Sequence, residues 1–84
     1  MTMTVDRLKD LIAARIDCTH LDVNGDGHHW FATIVSSEFE GKTRVARHQV
    51  VHAALDEELA SNAVHALSMK NFTPAEWAAA QGGA

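Results

Sequence analysis

An apolar alternating run, Trp30 to Val35, is followed by a tight turn at Glu40-Gly41-Lys42 and then by a long helical stripe. The stretch from Phe39 to Leu59 organises the rest of the chain. A helix is expected over Thr43 to Leu59, where Val51, Leu55 and Leu59 recur at steps of four and share one buried face. Val50 and Ala54 widen that face, and Arg44, Arg47 and Gln49 are left to face water. Thr43 is the expected N-cap, its hydroxyl accepting from an amide one turn on.

The charges of this helix run against its dipole. Lys42, Arg44 and Arg47 crowd the start, and Asp56, Glu57 and Glu58 crowd the end. The opposite order is favoured by about 0.3–1 kcal/mol per charge. A basic helix start with exposed amides is suited to anions, although solvated surface charge accounts for the pattern equally well.

Ahead of this stretch, residues 4–16 read as a helix. Thr4 caps it, Asp6 lies in the first turn, and Val5, Leu8, Leu11, Ile12 and Ile16 form the buried stripe. Cys18 and His20 have a spacing that suits a metal, but no second pair repeats it. Cys18 reads as a small, partly buried filler at the helix–strand junction. A short strand, His20 to Val23, leads into Asn24-Gly25-Asp26-Gly27, a strong turn signal. Asp22, Asn24 and Asp26 imitate the opening of a calcium loop, but Thr33 stands where the bidentate glutamate belongs and strands, not helices, flank the loop. No phosphate-binding glycine motif is present.

His28 and His29 fall at the tip of the resulting hairpin, where solvated loop histidines are the ordinary outcome. In the second strand Trp30, Ala32 and Ile34 point one way and Phe31, Thr33 and Val35 the other, as in a central strand covered at least partly on both faces. After a turn at Ala60-Ser61-Asn62, a third strand is expected over Ala63 to Met69, with His65 inside it. Periodicity alone makes His65 a core or edge histidine. In Phe72-Thr73-Pro74-Ala75-Glu76-Trp77, Thr73 is the N-cap, Pro74 is N1 and Glu76 closes a capping box. Phe72 and Trp77 are placed as a hydrophobic staple. This last helix should run to about Ala80 and pin the C-terminal end over the sheet, with residues 81–84 frayed.

The order helix, strand, strand, helix, strand, helix gives an α+β, two-layer α-β-β-α-β-α domain with a mixed three-stranded sheet. The 84 residues make one domain, with an ordered core of about 4–80. A net charge of −4 argues against bulk, sequence-independent nucleic-acid binding. A single cysteine allows no intramolecular disulfide and fits a reducing, cytoplasmic setting. No apolar run approaches the length of a membrane span. Six histidines are many for this length, and no nucleophile stands beside a base at a spacing that suggests an enzyme.

Four segments in this order resemble the BolA family: G-D-G-H-H-W at 25–30, V-S-S-E-F-E-G-K-T-R-V-A-R-H-Q-V-V-H at 35–52, V-H-A-L at 64–67 and T-P-A-E-W at 73–77. The resemblance covers residues 4–78 and implies a fold similar to class II KH domains. It also implies two activities. In one, BolA-like proteins pair with monothiol glutaredoxins and share a 2Fe–2S cluster, with glutathione supplied by the partner, in iron–sulfur trafficking or iron-dependent regulation. The implied ligands are the histidine of V-H-A-L, here His65, and one in the loop between the first two strands. That is His29 in the G-D-G-x-H-[FW] pattern, with His28 adjacent and able to substitute. In the other, some members are DNA-binding transcriptional regulators, with Lys42, Arg44, Arg47 and His48 on the contact surface. Periodicity also allows His48 a structural place on the stripe of Val51 and Leu55. The turn Gly41-Lys42-Thr43-Arg44 has one glycine, where a KH-type clamp needs G-x-x-G. The apo protein is expected as a monomer or weak homodimer, without a membrane association.

Overall fold

A computed structural model of the chain describes residues 3–64 and 66–82. Helix α1 (Val5–Arg15) leads to strand β1 (Cys18–Gly25), which pairs antiparallel with β2 (Trp30–Ser36). Helices α2 (Arg44–Ala54) and α3 (Asp56–Ala60) cross over to β3 (Leu67–Phe72), which pairs parallel with β2, and α4 (Pro74–Gly82) closes the chain. The sheet order is β1-β2-β3, so β2 is central, as its two largely apolar faces require.

The helix starts follow from local chemistry. Thr4 Oγ1 accepts from the Arg7 amide at 3.1 Å and Thr43 Oγ1 from the Ala46 amide at 3.1 Å. At α4 the reciprocal box is complete: the Glu76 amide donates to Thr73 Oγ1 at 3.2 Å, and the Thr73 amide donates to Glu76 Oε1 at 2.9 Å. The Phe72 and Trp77 rings lie 5.5 Å apart, forming the expected staple.

The main core lies on one face of the sheet. Leu8, Ile12 and Ile16 from the first helix meet Val23, Trp30, Ala32 and Ile34 from the strands, and Phe39, Val51, Leu55 and Val64 complete the cluster. On the opposite face, pairing places His20, Val35 and Phe72 side by side, and α4 covers them. Further along that face no helix follows among the described residues, and Phe31 is exposed there.

Three expectations about the elements are corrected. The central helix is not continuous from Thr43 to Leu59 but breaks at Leu55, whose backbone leaves the helical region at φ −110° and ψ 23°. Arg15 fastens the break, donating from Nη1 to the Ala54 carbonyl at 2.8 Å and to Glu58 Oε1 at 2.6 Å. Asp56, Glu57 and Glu58 therefore occupy the first turn of α3, where the dipole favours them; the adverse charge at the helix end disappears. The third strand runs over Leu67–Phe72 rather than Ala63 to Met69. Ala66 is in the left-handed region, at φ 52°, so the chain turns where extended backbone was expected; Asn62, at φ 60°, lies in the expected turn. Strand β1 and helix α4 are longer than expected, reaching Gly25 and Gly82, because pairing with Trp30 and a run of alanines extend them.

Candidate functional site

The loop that carries His28 and His29 is held by Asp26. Its Oδ1 accepts from the His28 amide at 2.9 Å and from the His29 amide at 2.8 Å, and its own amide donates to the His29 carbonyl at 3.2 Å. These donors, that of His29 first, hold the Asp26 carboxyl below the usual carboxylate range. Gly27 supplies the positive φ of 94° that the tight loop demands. The turn thus spans Asp26 to His29, with Asn24 and Gly25 absorbed into β1. Both imidazoles reach solvent. Nδ1 of His29 lies 3.9 Å from Asp26 Oδ2, outside hydrogen-bond range.

The far side of this loop is tied to the start of β3. The Trp30 amide donates to the Ala66 carbonyl at 3.2 Å, and Trp30 pairs with Leu67. Val64 is fully buried and Ala66 is strained by its positive φ, a conformation that costs about 1–3 kcal/mol and tends to occur at functional sites. Position 65 falls between them, and the expectations for His65 lie outside the described residues. Cys18 stands at the opposite end of β1, paired with Ser36, with its thiol donating to the Ile16 carbonyl at 3.3 Å. Burial pushes that thiol up. His20 is removed from the loop as well, stacked on Trp77 at 4.6 Å between centroids. Among the described residues, no three His, Cys, Asp or Glu side chains gather into a closed metal site. Exposed imidazoles are chemically able to coordinate a metal through either ring nitrogen.

The basic start of α2 is less free than the sequence implies. Arg47 does not face water. It donates to Glu76 through Nη1 at 2.7 Å and Nη2 at 3.2 Å, to the Asn71 carbonyl at 3.1 Å and, through Nε, to the Lys42 carbonyl at 3.1 Å. It is a bracket joining α2, β3 and α4. Sequence reasoning missed it because the partners are 24 and 29 residues away and Glu76 already had a role in its cap. Lys42 and Arg44 remain exposed, and His48 is half-buried. With Lys70 and Asn71 they line a cavity of about 460 Å³. Neither Lys70 nor Asn71 was singled out by pattern, since the third strand was expected to end at Met69.

A mixed three-stranded sheet with α1–α3 on one face and α4 on the other defines a small two-layered α+β domain with exposed imidazoles at one end. The chain belongs to the BolA-like protein family, whose profile matches residues 9–76. It is 36% identical over 76 residues to the acid stress protein IbaG of Escherichia coli K12, covering 90% of each chain. Its fold is similar to that of a BolA homologue from Coxiella burnetii, with a TM-score of 0.80 and 35% identity over 90% of this chain and 97% of that one. It is also similar to a Bol-like protein from Babesia bovis, with a TM-score of 0.82 and 29% identity over 96% of each. Among the described residues no helix is long and apolar enough to cross a membrane.

Proposed function

We propose that this chain is a non-enzymatic partner of a monothiol glutaredoxin and co-ligates a shared 2Fe–2S cluster through histidine, in iron–sulfur trafficking or iron-dependent regulation. The observation that carries the reading is the Asp26-stiffened loop. It offers His28 and His29 to solvent beside the backbone of Ala66, the residue after position 65. His65 and His29 are the ligands in this reading, with His28 as the substitute in the loop. Imidazole suits iron, and histidines in place of cysteines raise the potential of such a cluster. Ligation needs the neutral ring, so acid competes with the cluster. The chain's own part is to hold its donors in place and leave the other positions to the partner's cysteine and its bound glutathione.

The DNA-binding alternative through the start of α2 keeps Lys42 and Arg44 but loses Arg47 to Glu76. So few free cations on a chain of net charge −4 support only weak, salt-sensitive binding.

The test is a reconstitution with a monothiol glutaredoxin, glutathione, iron and sulfide, followed by visible absorption and circular dichroism. A spectrum distinct from that of the glutaredoxin homodimer is expected, strongly altered by His65→Ala and more by His29→Ala than by His28→Ala. A mixture whose spectrum is that of glutaredoxin alone defeats the reading.

A further inference from the structure

His48 and His52 stand one turn apart on α2, at the i, i+4 spacing that places two side chains on one face. Their ring centroids are 6.4 Å apart and the ring planes are tilted by 32°. His52 is exposed and His48 half-buried. Among the described residues neither ring makes a hydrogen bond, and neither nitrogen of His48 is shut off from solvent. A histidine with a structural task is ordinarily hydrogen-bonded, so these two are unspent. They belong to a different element from the His28–His29 loop.

Two neutral imidazoles at this spacing make a bidentate ligand, as two histidines four apart do in helical zinc motifs. An ion sits about 2 Å from each ring nitrogen, so two rings sharing one ion have centroids about 4.5–5.5 Å apart. The observed 6.4 Å is therefore open by about 1–2 Å. Rotation of the exposed His52 side chain closes such a gap. No third His, Cys, Asp or Glu joins the pair among the described residues, so the other positions fall to water. The surroundings are basic: Arg44 lies one turn before His48, and Glu76, the carboxylate that lines a cavity with His48, is engaged by Arg47. Charge alone therefore holds no cation here. Magnesium and calcium need oxygen ligands, whereas a late first-row ion is held by nitrogen coordination.

We propose that His48 and His52 form a chelating site for a divalent late first-row ion, copper(II) ahead of nickel(II) and zinc(II), with water completing the coordination. The ion ties successive turns of α2 together, so binding stabilises that helix ahead of its break at Leu55. The inference does not rest on the cluster reading, and its test uses neither iron nor glutaredoxin, so the two can fail separately.

The probes are copper(II), followed by paramagnetic broadening of amide resonances, and zinc(II), followed by calorimetry. Both are titrated into the full chain and into a variant with His28→Ala, His29→Ala and His65→Ala, which lacks the imidazoles of the cluster reading. In both proteins broadening centred on residues 48–52 is expected, and the variant should bind one zinc(II) per chain. His52→Tyr and His48→Ala should each weaken zinc binding at that site at least tenfold. Ala53→His added to His52→Tyr returns a second imidazole at a spacing of five, off the face of His48, and should not recover the affinity. The proposal is overturned if copper leaves α2 sharp, if His52→Tyr binds zinc as its parent does, if Ala53→His recovers the affinity, or if magnesium perturbs the same resonances equally. His52 and Ala53 are exposed, so their variants decide the matter even where His48→Ala fails to fold.

Discussion

Glu76 accepts from both terminal nitrogens of Arg47 and from the Thr73 amide, and these donors, Arg47 first, lower its pKa to about 2. A carboxylate depressed by folding contributes stability that is complete above its ordinary value of 4.5 and is lost as pH falls towards about 2. Glu76→Gln should therefore melt lower than wild type at neutral pH and show a flatter profile across that acidic window. Thermal melts from neutral pH down to about pH 2 check it; matching profiles for the two proteins remove Glu76 from the acid response. Its cap partner, Thr73, is 8% exposed. Thr73→Ala should cost about 1 kcal/mol, or about 4–8 °C in a domain of this size.

At the scale of elements, the meeting of β1 and β2 depends on the absence of a side chain at Gly25. A Cβ there would stand 2.6 Å from Trp30 Cε3 and 2.8 Å from the His29 carbonyl. Gly25→Ala should therefore destabilise by about 1–3 kcal/mol in denaturant melts. It should also displace the His28–His29 loop, visible as amide shifts confined to residues 24–31 and 66–68. The starts of α1, α2 and α4 were legible in the sequence because each is fixed within four residues: Thr4, Thr43 and Thr73 each cap the helix that follows. The helix break and the strand register were not, because distant partners set them. The break at Leu55 is fastened by Arg15, which is 39 residues from Ala54 in the chain. β3 slides to Leu67–Phe72 because Ile34 and Val35 pair with Asn71 and Phe72, a register that no local pattern of Lys70-Asn71 suggests. The same division holds for the candidate site. The place of the loop histidines could be read from a turn motif, whereas the Arg47–Glu76 bracket exists only once β3 and α4 are in place.

The whole molecule has two apolar clusters of unequal size on opposite faces of one sheet. The larger includes Trp30, Phe39, Leu8 and Ile12, all essentially inaccessible to solvent. The smaller is the stack of Trp77 on His20, with Phe72 alongside and Val35 beneath. Trp77 is only half-buried, and it is the residue of α4 that meets both rings. Trp77→Ala should therefore cost about 2 kcal/mol, below the 3–5 kcal/mol typical of a large aromatic lost from a core. The loss should also be uneven. Amide exchange is expected to quicken in α4 well beyond any change in α1 or β2, because α4 can open while the larger cluster stays closed. Since Arg47 and Glu76 join α4 to the cavity wall, the same variant should loosen Arg47, read as a change in its side-chain Nε–H resonance. Exchange that accelerates equally in α1, β2 and α4 would mean the opposite: both faces unfold as one unit, and the start of α2 cannot be tuned through α4 alone.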